Sequence, residues 1–378
     1  MPSLPPVRMA MVGGGAGAFI GPVHRMAAEL DRQILLVAGA FSRDATKSRE
    51  AGVAWGVAPE RCHADYRALI ADEAARTDGA QLIAVVTPNA THFPVAKAAL
   101  EAGLHVMSDK PATATLDEAL ALRTVVAEAQ GLYGLTFTYT GYPLIREARA
   151  MIARGEIGAV RKVVVEYSQG WLWSAIEHED GQQQARWRTD PAQSGHGGCI
   201  GDIGVHAFNL AEFASGVPVK SLCADLSRVV PGRKLDDDCN VLLRLANGAP
   251  GVLHASQVAT GDRNGLILRI WGETGGIEWR HEGNEQLVLN RPGVPTQVMH
   301  AGEGYAGIAA PRLPAGHPQG FIEAFANIYR DMANAIRSGH PATIVPGIAE
   351  GVRSMAFVDA AIASSQARSW VDLKELVA

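Results

Sequence analysis

The sequence predicts an α/β protein in two parts: a doubly wound parallel sheet first, then an α+β domain built on a large, open, mostly antiparallel sheet. Three observations predict it. From residue 8 to about 143, short β-branched apolar runs alternate with amphipathic segments, the rhythm of βαβ units. After residue 150 apolar runs follow one another with few long helical segments between them, and turn pairs such as Asn247-Gly248 join neighbours. The 378 residues are also about 2.5 times a rough 150-residue domain, so two cores are expected. The boundary is set at residues 143 and 144, with 1–143 as the first domain and 144–378 as the second, whose last helix is placed to pack back on the first.

Strands of the first part are expected at Arg8 to Val12, Leu35 to Phe41, Leu82 to Thr87, His105 to Ser108 and Leu135 to Tyr139. Thr115-Leu-Asp-Glu118 is a capping box that opens a helix with Leu116, Ala119, Leu120 and Leu122 at helical spacing, and Gly131 stands where a left-handed C′ residue belongs. Pro94 falls in the first turn of the next helix upstream, which Gly103 ends. In the second part, strands are expected at Val163 to Tyr167, Val219 to Leu226, Asn240 to Leu245, Gly251 to Gln257, Leu266 to Trp271 and Gly276 to Trp279. Helices are expected at Val205 to Ala214, Phe321 to Ser338 and Ala349 to Ser365, and the stripe Phe321, Phe325, Ile328 is read as core. Arg291 to Gly320 lacks periodicity and is read as a long loop.

Composition excludes several classes of function. With 47% hydrophobic and 19% charged residues the chain has ample material for large cores, so disorder is not its main state. A net charge of −5, evenly spread, does not build a phosphate-neutralising surface, and nucleic acid is not an expected partner. Four scattered cysteines, Cys62, Cys199, Cys223 and Cys239, form neither a disulfide framework nor a zinc-ligand pattern, and no metal is expected. The start lacks a basic region followed by a long apolar run, and no stretch reaches roughly 18 apolar residues. A soluble cytoplasmic protein without a membrane partner is expected.

The chemistry begins at Gly13-Gly-Gly-Ala-Gly-Ala-Phe-Ile-Gly21, between the first strand and a helix. Glycines there let the backbone turn sharply and approach a pyrophosphate, whose charge is held by amides at the helix start. Gly13, Gly15, Ala16, Phe19 and Ile20 are the candidate contacts. A strict G-x-G-x-x-G pattern would place its third glycine at Ala18, so Gly21 is the alternative glycine for helix packing. After the second strand, Ser42, Arg43 and Lys47 would suit a 2′-phosphate, while Asp44 would suit a free ribose, and NAD and NADP both stay open. Thr87, Pro88, Asn89 and His92 follow the third strand, and Lys110, clamped by Pro111, follows the fourth. All are candidates for the cofactor side of the crevice, and Lys110 is placed to act in catalysis.

In the second part, Gly201-Asp-Ile-Gly-Val-His206 sets Asp202 and His206 four residues apart, on one face if the helix has begun. A carboxylate beside an imidazole suits a general base and its orienting partner, and a helix cap beside a buried histidine is the plainer alternative. Tyr139, Tyr142, Trp187 and Arg188 are candidates to stack on and bind a substrate ring, and His317 a candidate to join them from the late loop.

Together these motifs resemble the glucose-fructose oxidoreductase, inositol dehydrogenase and rhizopine-catabolism family (Gfo/Idh/MocA) over nearly the whole chain. The resemblance is carried by the glycine loop, Thr87-Pro-Asn-Ala-Thr-His92, Ala102 to Pro111 and Asp202 to His206. Asp109 replaces the family's usual Glu before Lys-Pro, and the glycine loop is longer than usual. The resemblance implies a Rossmann domain that binds NAD or NADP, with the nicotinamide at the domain junction. It also implies Lys110, Asp202 and His206 as catalytic residues, and a sugar, cyclitol or glycoside oxidised at a secondary alcohol. His206 would be the base, Asp202 its partner and Lys110 the group that steadies the alkoxide. The alternatives are an NAD-dependent glycosidase working by transient oxidation, a sugar transhydrogenase with retained cofactor, and a non-catalytic ligand sensor. Strand candidates 240–245, 251–257 and 266–271 are too apolar for an open face in water, so a homodimer or homotetramer is expected.

Overall fold

A computed structural model describes residues 5–305 and 312–373, so residues 306–311 of the expected late loop lie outside the described residues. The chain divides into two compact units, Met1–Phe137 with Phe325–Val352, and Thr138–Ala324 with Arg353–Ala378.

The first unit is built on a parallel sheet in the order β2-β1-β3-β4-β5, with β1 Val7–Gly13, β2 Ile34–Ala40, β3 Leu82–Val86, β4 His105–Ser108 and β5 Tyr133–Leu135. Every residue of β3 is buried, as expected of a central strand covered on both faces. The crossover helices are α1 Ile20–Glu29, α2 Ala45–Ala54, α3 Tyr66–Ala75, α4 His92–Glu101 and α5 Leu116–Glu128. Thr115 caps α5 through the amide of Glu118, as the capping box predicts. Gly131 is not a left-handed C′ residue. It is a close-approach glycine, since a Cβ there would lie 2.2 Å from the Leu104 carbonyl oxygen. The last strand also differs: β5 ends at Leu135, and Thr138–Gly141 form a 3₁₀ turn. The alternating Thr136, Thr138 and Thr140 look like a strand by propensity, but the Thr136 hydroxyl bonds the Ser108 carbonyl and Asp109 as the ladder ends.

The second unit is built on nine strands in the order β13-β12-β11-β10-β6-β9-β8-β7-β14. These are β6 Val160–Ser168, β7 Val219–Ser227, β8 Asp238–Leu245, β9 Pro250–Ser256, β10 Gly265–Gly272, β11 Gly276–Arg280, β12 Gln286–Arg291, β13 Val294–His300 and β14 Val371–Asp372. Among the described strands of this sheet only β6 and β9 pair in parallel. Its helices are α6 Pro143–Ala153, α7 Gln183–Arg188, α8 Pro191–Ser194 and α9 Val205–Ser215. The long helices α10 Phe321–Ser338 and α11 Ile348–Ala367 each run through both units' residues. Within the first unit α10 buries Phe325, Ile328, Tyr329, Met332 and Ala333 at helical spacing. Phe321, at its start, is only partly buried.

β13 replaces part of the expected late loop. Nearly all its side chains are exposed, so it carries no alternation to read, and Pro295 suits an edge strand. The uncovered sheet face is also less apolar than expected. Leu242 and Trp271 are exposed on it, yet Arg269 bridges Glu166 at 2.5 Å and Glu278 at 2.8 Å. No helix among the described residues is long and apolar enough to cross a membrane, and all four cysteines are free thiols.

Candidate dinucleotide and catalytic residues

In the first unit β1 runs straight into the glycine loop. Gly14 has φ +78°, and a Cβ on Gly21 would lie 2.3 Å from the Gly14 Cα, so Gly21 is the glycine that lets α1 pack on the loop. Gly15 is equally constrained, since a Cβ there would lie 2.4 Å from the Phe41 carbonyl oxygen at the end of β2. The first turn of α1 holds no acidic residue and no side-chain cap, and Phe19 before it is exposed. Glycine-tight backbone leading to uncapped amides fits a dinucleotide pyrophosphate.

At the end of β2, Asp44 is the N-cap of α2 and accepts from the amides of Thr46 at 2.9 Å and Lys47 at 3.1 Å. The Ser42 hydroxyl accepts from the Asp44 amide at 3.2 Å. Arg43 and Lys47 are exposed. One carboxylate oxygen of the expected ribose acceptor is therefore committed to holding a helix.

His92 corrects a sequence expectation. Fully buried, it lies 2.7 Å by Nδ1 from the Pro111 carbonyl and 2.8 Å by Nε2 from the Thr87 carbonyl. It ties the Thr87 turn to the Lys110-Pro111 turn and has no ring nitrogen left for a cofactor. Beside it, Asp109 accepts from Thr136 Oγ1 at 2.9 Å and faces His24 Nε2 at 3.7 Å. Burial acts to raise the Asp109 carboxyl, but His24, with Lys110 and His92 nearby, holds it well below the usual carboxylate range. His24 meets Tyr329 Oη at 2.7 Å, and both it and Tyr329 are buried.

In the second unit Asp202 stands on a π-turn, Ile200–Gly204, that leads into α9. The wider turn replaces the regular α spacing on which the one-face argument relied. Asp202 Oδ2 accepts from Arg188 Nε at 3.0 Å and Gln257 Nε2 at 2.8 Å. The Arg188 guanidinium lies 4.2 Å from the centre of the Trp187 ring and 5.6 Å from that of Trp171, and Nη1 donates to Gln184 Oε1 at 2.7 Å. Asp202, Arg188 and Trp187 thus come together, joined by Gln184, Gln257 and Trp171.

His206, partly exposed, packs edge-on against Tyr139, with ring centres 5.1 Å apart. Tyr139 and Tyr142 are not stacking surfaces: they are 3% and 1% exposed. Tyr139 Oη meets Tyr167 Oη at 2.5 Å and Tyr142 Oη meets His281 Nε2 at 3.0 Å, so both are buried packing groups, Tyr139 beside His206 and Tyr142 beside Trp279. Burial pushes Tyr139 up to about 12, and it stays a neutral hydroxyl. His317 is exposed and bonded to its own turn at Pro314, so the structure gives it no place in the candidate group.

Residues 7–137 match the model described as oxidoreductase family, NAD-binding Rossmann fold, and residues 145–278 match the GFO/IDH/MocA C-terminal domain. The chain is 33% identical to an uncharacterized oxidoreductase of Bacillus subtilis, YfiI, over 98% of this chain and 97% of that one. It belongs to the GFO/IDH/MocA oxidoreductase family. The crystal structure of an inositol dehydrogenase homolog complexed with NAD+ from Azotobacter vinelandii superposes with a TM-score of 0.92, at 38% identity and 97% coverage of both chains. Levoglucosan dehydrogenase of Pseudarthrobacter phenanthrenivorans is 27% identical over 98% of this chain and 99% of that one.

In this GFO/IDH/MocA oxidoreductase the motif residues Asp109 and Asp202 take their partners from elsewhere in the chain. Gln257 ends an expected strand and Gln184 stands in a polar run, and neither carries a signal by type or spacing. His24, four residues into α1, looks like any residue of a packing face.

Proposed function

We propose that this oxidoreductase moves a hydride between a nicotinamide dinucleotide and a secondary alcohol of a sugar or cyclitol. The observation that carries the substrate class is the Asp202 group: a carboxylate on the π-turn held by Arg188 and Gln257, with the Arg188 guanidinium against the Trp187 and Trp171 indoles and His206 in the first turn of the helix that follows. Donors, acceptors and flat apolar rings in one place suit a polyhydroxylated ring. The names of the inositol and levoglucosan dehydrogenase relatives agree with that class.

The glycine loop and the first amides of α1 would hold the pyrophosphate, with Arg43 and Lys47 placed near the adenosine ribose. When bound, the nicotinamide supplies the hydride acceptor or donor. Oxidation of a carbinol also requires its hydroxyl proton to leave. His206 takes that proton, Lys110 steadies the developing alkoxide, and Asp202 holds Arg188 and the substrate hydroxyls in register.

His206→Ala and Lys110→Ala are expected to retain the dinucleotide and to lose about 10²- to 10⁴-fold in turnover. Assays of sugars and cyclitols should read stoichiometric formation of reduced cofactor by absorbance. Release of an aglycone with no net reduction would replace this reading with redox-neutral glycoside cleavage. Wild-type turnover in the His206 variant would remove His206 from the mechanism.

A further inference from the structure

The geometry points to His92 as a positioning residue for Lys110 that works as a buried imidazolium, donating one hydrogen bond to each of the two turns it joins. The reasoning is a count of donors. A neutral imidazole carries one N–H, and a carbonyl oxygen can only accept. Yet Nδ1 is 2.7 Å from the Pro111 oxygen and Nε2 is 2.8 Å from the Thr87 oxygen. In a neutral ring one of those contacts would set nitrogen lone pair against oxygen lone pair at hydrogen-bond distance. With both nitrogens protonated, both contacts are satisfied.

The charge has a counter-ion in the same cluster. Asp109, one residue before Lys110, is held ionised by His24, Lys110 and His92. Burial is the largest influence and, with Lys110 adding to it, pulls the His92 pKa below its ordinary value against the two carbonyls and Asp109; what favours the charged ring is the pair of carbonyl contacts, each of which needs an N–H. Asp109 and Lys110 are the charged groups acting on His92, and His24 meets the same Asp109 carboxylate. Lys110 therefore stands in a segment pinned on both sides, at Asp109 by Thr136 and His24, and at Pro111 by His92. Neither bond of His92 is to a side chain, so its effect is on where the two turns lie rather than on any reacting group.

This inference rests on the role proposed for Lys110, and the two can fail separately. Histidine labelled with ¹⁵N in the dinucleotide-bound enzyme reports the ring directly, with the His92 signals assigned by their loss in His92→Gln. Both ring nitrogens are expected at the protonated position at neutral pH, and a bare nitrogen there would overturn the imidazolium. Because this is read on the wild-type protein, it does not depend on how a variant folds. His92→Gln keeps one donor nitrogen and sets an acceptor oxygen in place of the other, and should lower kcat by about 10- to 100-fold through a misplaced Lys110, while dinucleotide affinity changes little. An unchanged kcat in His92→Gln, alongside a depressed Lys110→Ala, would overturn the positioning role and leave Lys110 standing. An unchanged kcat in Lys110→Ala would remove Lys110 and overturn the positioning role with it, while the charge of His92 is read independently.

Discussion

Asp44 illustrates how one side chain's hydrogen bonds decide what is left for a ligand. By capping α2 it commits an oxygen to the amides of Thr46 and Lys47, and Arg43 and Lys47 are the exposed cations beside it. If they meet a 2′-phosphate, Arg43→Ala should weaken NADP by about 1.5 to 3 kcal/mol and NAD far less. Calorimetric titration of both cofactors measures this, and equal effects would make Arg43 a surface charge. Asp236 is a second case. Its carboxylate accepts from the amides of Gly198 and Ile200, both at 2.7 Å, and so holds the turn that leads to Asp202. Burial outweighs those bonds and pushes its pKa up to about 6. The folded value exceeds the unfolded one, so its stabilising contribution is fully present below about 4 and is lost as pH rises through about 6, to the extent of about 3 kcal/mol. Melting curves should therefore show wild type losing stability between about pH 4 and pH 7 relative to Asp236→Asn, whose residue 236 does not titrate. Parallel curves for the two proteins would mean that Asp236 keeps an ordinary pKa.

Among the elements, α1 depends on a contact with no side chains in it. Gly21→Ala would drive a Cβ to within 2.3 Å of the Gly14 Cα, so the helix must shift off the loop. Overpacking of this kind costs about 1 to 3 kcal/mol, and dinucleotide affinity should fall with it. Thermal melting and cofactor titration on the same variant test this, and retained affinity would mean that the loop does not carry the pyrophosphate. β13 marks the opposite case. Strand signals in sequence come from one buried face, and an edge strand exposed on both sides lacks one, so Val294–His300 reads as loop. Gly293, with φ +72°, still marks the turn of its hairpin.

At the scale of the whole molecule, the second unit buries charge as well as hydrocarbon. Arg233 is bound to Glu177 at 3.1 and 3.2 Å and to Asp237 at 3.1 Å, almost wholly out of water. Its uncovered sheet face carries Leu242, Trp271 and the Arg269 ion pairs, a mixture suited to association with a second copy. A homodimer or homotetramer is the expected state, and light scattering that reads a stable 40 kDa particle at micromolar concentration would exclude it.

The sequence by itself determined the βαβ rhythm, the glycine loop, the capping box and the segments that carry Lys110, Asp202 and His206, because each of these is written in local periodicity or in residue types at short spacing. Only the tertiary structure decided that His92 bridges two turns, that Asp202 is held by Arg188 and Gln257, and that Tyr139 and Tyr142 are buried packing groups. The physical reason is range. A helix cap or a turn is settled by neighbours within a few residues, whereas the 55 residues from Asp202 to Gln257 leave no local trace of the hydrogen bond that joins them. Whether a polar side chain faces a ligand or pairs inside the protein depends on which distant groups the fold brings to it.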